Sequence, residues 1–191
     1  MRITKFENRY RDDMIFMVLQ AKDALGRIPT INPDLLDIDT SYFGKGDMFW
    51  LAIDENDRVI GCVGCSRIPD ADEAFLHRLY VKSSLKRTGI GSALLGTAEQ
   101  WMRNNEITVS KVHLGEPKEQ WFESYAFYPK HGYEEYKPRY MKKVLKISIS
   151  ERNRVYEQTN HKKRRNRHGT ADAAPLSDRR QRPPRGNDAE P

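Results

Sequence analysis

Lys86-Arg87-Thr88-Gly89-Ile90-Gly91-Ser92 places two cations and two glycines directly before an apolar helical repeat. A helix start offers N–H groups without intrahelical partners and the positive end of the helix dipole. Glycine lets a ligand approach the backbone and reaches dihedral angles closed to other residues. Lys86 and Arg87 add charge that suits phosphate. Together these features describe a cradle for a phosphorylated ligand. Two known phosphate motifs do not fit. The dinucleotide fingerprint needs a third glycine where Leu94 stands, and no Gly-Lys-Ser/Thr is present. The competing reading is a glycine turn that only joins a strand to a helix.

The elements around the cradle must position it. The strand pattern "EAFLHRLYV" (residues 73–81) comes first. Leu76, Leu79 and Val81 cannot share one face of a straight strand, because side chains alternate. One extra residue near His77 and Arg78 restores the phase, so the spacing predicts a β-bulge. Such a bulge parts neighbouring strands and frees backbone groups for a ligand. After the glycines, Leu94, Leu95, Ala98, Trp101 and Met102 mark a helix ending near Asn105.

Elsewhere, residues 2–7 alternate as a strand. Met14, Val18, Ala21 and Leu25 give residues 12–25 one apolar helical face, and residues 34–43 suit a short helix. Residues 48–54 and 58–68 form a predicted hairpin, and 109–114 a further strand. Pro117 and Gly132 bracket a helix that Pro129 ends or kinks. Residues 133–136 and 139–145 complete the set as strands. Helices alternate with strands, yet the hairpins exclude a purely parallel sheet. The expected fold is α/β in the broad sense, a mixed α+β sheet with helices on both faces.

The chain has 191 residues and a net charge of +6. Beyond Lys146 there are 11 Arg and Lys against 6 Asp and Glu, so residues 1–146 are nearly neutral. That removes a whole-domain case for nucleic-acid binding and confines it to the tail, with its run "HKKRRNRH". Residues 147–191 are charged, rich in Pro and Gly, and poor in large apolar residues, which predicts disorder. No segment reads as a signal peptide, and no run nears the roughly 18 apolar residues of a membrane span. A cytoplasmic protein is expected. Cys62 and Cys65 lie three apart within an apolar strand, on opposite faces, with no second close pair. They read as small buried residues, and no metal is expected. His131 reads as a charge at a helix C-terminus.

"LHRLYVKSSLKRTGIGSALLGTAEQW" (residues 76–101) resembles motif A of the GNAT N-acetyltransferase superfamily, with Lys86 where relatives carry Arg or Gln. "FYPKHGY" (residues 127–133) resembles the second signature of that superfamily. The resemblance covers residues 1–146. It implies an acetyl-CoA-dependent N-acetyltransferase domain built on a splayed, mostly antiparallel mixed sheet. It further implies that backbone N–H groups of Arg87, Thr88, Gly89, Ile90, Gly91 and Ser92 hold the cofactor's diphosphate. Leu79 and Val81 would run beside the pantetheine arm. Tyr128 matches the position of a general acid for the leaving thiolate. Phe75 stands where some relatives carry a glutamate base, leaving Glu73 or His77 for that role, each also readable as an exposed strand residue. The implied partners are acetyl-CoA and an amine acceptor, small or on a protein, with a homodimer open. Two other functions remain in view: an inactive acyl-CoA-binding regulatory module, and a nucleic-acid-associated protein working through its tail.

Overall fold

A computed structural model describes residues 1–146; the basic tail and its expected disorder lie outside the described residues. The elements are β1 (Arg2–Lys5), α1 (Arg11–Asp23), α2 (Ile38–Ser41), β2 (Met48–Ile53), β3 (Val59–Arg67) and β4 (Glu73–Val81). They continue with α3 (Ile90–Asn104), β5 (Val109–His113), α4 (Phe122–Lys130), β6 (Glu134–Lys137) and β7 (Tyr140–Val144). The strands form one sheet in the order β1-β2-β3-β4-β5-β7-β6. Only β4 and β5 run parallel; the other pairs are antiparallel.

The apolar patterning explains the layering. Met14, Met17, Val18 and Ala21 form the buried stripe of α1. Tyr10, Leu35, Ile38 and Tyr42 join that stripe in one core, against Phe49, Leu51 and Cys62 of the sheet. On the other face, Leu94, Leu95, Ala98 and Met102 of α3 pack with Tyr128, Tyr133 and Cys65. Cys62 and Cys65 thus face opposite cores, as their spacing requires. Helices cover both faces of a mixed sheet, the architecture expected from the sequence.

A buried polar network ties the second core together. The Tyr133 hydroxyl bonds Glu99 of α3 at 3.1 Å and shares a 2.7 Å bond with Ser110 of β5. Lys143 of β7 donates to both oxygens of Glu99 at 2.8 Å. Buried polar groups are tolerable only when partnered in this way.

The β4 bulge lies where the apolar phase demands it. Cys62 pairs with Tyr80 and Gly64 with His77, so β4 spends one residue more than β3 over the same span. Arg78 takes the strain, with φ of +54°. Below the bulge Ala74 and Leu76 face the α3 core; above it Leu79 and Val81 pack against the same core. Tyr80 turns to the α1 side.

Two helices differ from the sequence reading, and the one expected over residues 34–43 shrinks to Ile38–Ser41 between 3-10 turns at Pro33–Leu35 and Phe43–Lys45. The helix expected from Pro117 begins at Phe122, after a separate 3-10 turn at Lys118–Gln120. Trp121 breaks the run with non-helical φ of −120° and ψ of 12°. Its indole packs on Gly115, where an added Cβ would fall 2.0 Å from the ring. Long-range packing of Trp121 therefore overrides a locally plausible helix start.

Candidate active site

Pairing between β4 and β5 stops at Leu76 and Val112, although β4 continues to Val81. Above that point β4 is held by β3 alone. The Lys82 N–H donates to the Ile60 carbonyl on β3 at 2.9 Å. By strand alternation, Leu79 and Val81 turn their N–H and C=O groups toward the opened side. The opening is a cleft of about 1020 Å³ that both residues line.

One end of the cleft is the start of α3. Gly89 precedes the helix with φ of +89°, and Arg87 has φ of +64°. The first intrahelical bond runs from Ala93 N–H to Gly89 C=O at 3.0 Å. The N–H groups of Ile90, Gly91 and Ser92 precede that bond and have no intrahelical acceptor. The Thr88 hydroxyl donates to Leu85 C=O at 2.7 Å, and the Ile90 side chain is buried, so main-chain donors dominate here. A Cβ at Gly91 would meet Phe127 at an ordinary 3.4 Å, so no neighbour forces glycine at that position. Ser92 Oγ lies 2.9 Å from His131 Nε2, and His131 Nδ1 lies 2.9 Å from the Phe127 carbonyl. A carbonyl only accepts, so Nδ1 carries a proton and, in the neutral ring, Nε2 accepts from Ser92. His131 is the C-cap of α4, in keeping with its reading as a helix-end residue.

Lys86, expected to add charge for phosphate, lines the cleft but is already paired. Its ammonium is 2.8 Å from Glu123 of α4, so it braces that helix against the loop. Arg87, exposed and lining the cleft, forms no ion pair among the described residues.

Tyr128 and His77 also line the cleft. Tyr128 is buried and packs edge-on to Phe127 and Tyr133, with ring centroids 5.3 and 5.2 Å away. Burial pushes its phenol well above the usual tyrosine range, so it keeps its proton at neutral pH. Burial pushes His77 the other way, below the ordinary 6.5; Arg78 adds to that shift and Asp34 opposes it. The imidazole is therefore neutral near pH 7. Glu73 is not brought to these groups. It sits at the paired end of β4 in an ion pair with Lys111, and it does not line the cleft. Burial raises the Cys62 thiol to about 12. That thiol donates to the Arg78 carbonyl at 3.1 Å.

Sequence reasoning missed two residues of the cleft. The guanidinium of Arg27, in the loop after α1, lies 4.1 Å from the ring centre of Trp121. Residue 27 opens a plain loop in the sequence, and only the tertiary fold brings it to Trp121. Among the described residues no cluster of His, Cys, Asp or Glu could hold a metal ion. Among the same residues no helix is long and apolar enough to cross a membrane.

The site is thus a parted strand pair leading to a glycine-capped helix start. The sequence matches the Acetyltransferase (GNAT) family over residues 16–133, and the chain belongs to that family. Its fold is similar to a GNAT-family acetyltransferase from Staphylococcus aureus Mu50, at 22% identity and a TM-score of 0.68, covering 76% of this chain and 99% of that one. It is also similar to the PaiA N-acetyltransferase of Thermoplasma acidophilum in complex with coenzyme A, at 21% identity and a TM-score of 0.58, covering 75% and 98%. A phosphinothricin acetyltransferase from Sinorhizobium meliloti in complex with AcCoA is a third, at 14% identity and 0.58, covering 78% and 90%. No curated protein matches the sequence.

Proposed function

We propose that the protein transfers an acetyl group from acetyl-CoA to a primary amine, with both substrates bound together. The observation that carries this reading is the continuous path from the parted β4–β5 pair to the unpaired N–H groups of α3. The residues present fit the cofactor: main-chain donors at the helix start suit its diphosphate, and no neighbour crowds Gly91. In this reading the N–H groups from Arg87 to Ser92, through Thr88, Gly89, Ile90 and Gly91, hold the diphosphate. The freed backbone of Leu79 and Val81 pairs with the pantetheine amides.

When bound, the cofactor supplies an acetyl thioester; the amide C–N bond forms as the C–S bond breaks. A backbone N–H freed at the bulge polarises the carbonyl where negative charge develops. Tyr128 holds a proton at its hydroxyl, available to the leaving sulfur. His77, neutral at pH 7, accepts the proton that the amine must lose. Calorimetric titration with acetyl-CoA tests the cofactor step, and release of free thiol across an amine panel tests transfer. Saturable heat together with thiol release is expected. Well-folded protein that gives no heat with acetyl-CoA overturns the reading.

A further inference from the structure

The α1 side of the cleft carries positive charge that the protein does not balance. Lys22 is buried near the end of α1 and donates to the Thr30 carbonyl at 2.5 Å. Arg27 follows in the next loop, and Arg78 stands at the bulge. Burial, then repulsion from Arg78 and Arg27, hold the Lys22 ammonium below the usual lysine range. Asp34 is the carboxylate that offsets them, and Arg78 already occupies it through contacts of 2.7, 3.0 and 3.2 Å. Arg27 forms no ion pair among the described residues, and its side chain meets the Tyr80 hydroxyl. It rests between Trp121 at 4.1 Å and Tyr80 at 5.9 Å, and its Nε is buried without a hydrogen-bond partner. Among the described residues Glu123 is the one carboxylate that lines the cleft, and Lys86 holds it. A buried donor on a cation is costly unless a ligand partners it.

An anion bound by Arg27 would be distinct from the cofactor's diphosphate on geometric grounds. That cradle belongs to α3, on one face of the sheet. Arg27 lies beside Tyr80, which packs into the α1 core on the other face. On this second face Phe75, His113 and Tyr140 line the cleft as an aromatic wall. Tyr140 stacks on His113 at 4.3 Å and meets Phe75 edge-on at 6.4 Å.

We propose that the acceptor is an amino-acid-like molecule, a primary amine that also bears a carboxylate, with Arg27 binding the carboxylate and the aromatic wall receiving a planar or apolar side chain. This deepens the N-acetyltransferase reading and rests on it. Among the described residues this wall carries no free carboxylate for a polycationic acceptor. Arg27 is suited to the role because its planar fork can bind carboxylate through two parallel bonds.

The test uses the full chain with acetyl-CoA and paired acceptors. L-phenylalanine and L-leucine are set against phenylethylamine and isopentylamine, which lack only the carboxylate, and against spermidine. The amino acids are expected to exceed their decarboxylated partners in kcat/KM by about 10- to 100-fold, the range for a charge-assisted bond. Arg27→Met raises the amino-acid KM by about the same factor, removes the preference within each pair, and leaves the calorimetric Kd for acetyl-CoA within about twofold. Preference for the decarboxylated amines or spermidine overturns this inference alone. So does an Arg27→Met effect on acetyl-CoA binding rather than on the acceptor. Tight acetyl-CoA binding with no turnover of any amine overturns the catalytic reading and this inference with it.

Discussion

β4 is two structures in one strand. From Glu73 to Leu76 it is paired with β3 on one edge and with β5 on the other. From His77 to Val81 it keeps only β3, and the other edge faces the cleft. The lower half spends its backbone on the sheet and its apolar side chains on the core. The upper half leaves its β5-facing backbone groups unpaired by any strand. Arg78 separates the two halves, and its ion pair with Asp34 holds the bulge in place. A single inserted residue thus lets one strand serve both stability and binding without changing which core its apolar residues enter.

This division is open to direct attack. The largest effect is expected in the upper region. Tyr128→Phe should lower kcat by about 10²- to 10⁴-fold, as loss of a general acid does, with the acetyl-CoA Kd unchanged. Unchanged turnover in steady-state assays removes Tyr128 from the chemistry. Against the lower half, Val112→Ala on the β5 strand that pairs with it should cost about 2–3 kcal/mol of stability in urea unfolding. The folded fraction should keep its kcat within a few fold; a matching collapse of kcat would mean that the two halves are not separable. At the end of β5, Gly115→Ala should cost about 1–3 kcal/mol, because the new methyl displaces the Trp121 indole. Its acceptor KM should rise more than its acetyl-CoA Kd.

The smallest effect concerns pH. If His77 is the base, kcat/KM should fall as pH drops through its depressed pKa, and His77→Gln should abolish that limb. Stability moves the same way. The unfolded histidine takes a proton near its ordinary 6.5, while the folded one resists until lower pH. His77's contribution is therefore complete above 6.5 and is lost as pH falls from there toward the depressed folded value. Thermal unfolding of the wild type and His77→Gln between pH 5 and 8, as about the range where histidine titrates, checks the sign.

Local patterns carried most of the frame. The spacing of Leu76, Leu79 and Val81 located the bulge, because a phase error in a strand has one simple remedy. Gly89 and Gly91 marked the helix start, and the distance of three between Cys62 and Cys65 placed them in separate cores. What the sequence left hidden are partnerships between distant residues. The ion pairs of Lys86 with Glu123 and of Glu73 with Lys111 join residues 37 and 38 positions apart and have no local signal. Arg27 carried no local signal, since its setting depends on Trp121, nearly a hundred positions away along the chain. The start of α4 was misplaced for the same reason. Helix propensity was adequate from Pro117, and the seat of Trp121 on Gly115 decided otherwise.

That seat makes the molecule optically legible. Of the three tryptophans, Trp50 and Trp101 stack edge-on with each other at 5.9 Å, away from the cleft lining. Trp121 alone lines the cleft, with a guanidinium over its face. Its ultraviolet emission senses any charge that arrives or leaves above the indole. The protein therefore contains its own reporter of occupancy, readable in a cuvette without a dye or a coupled assay.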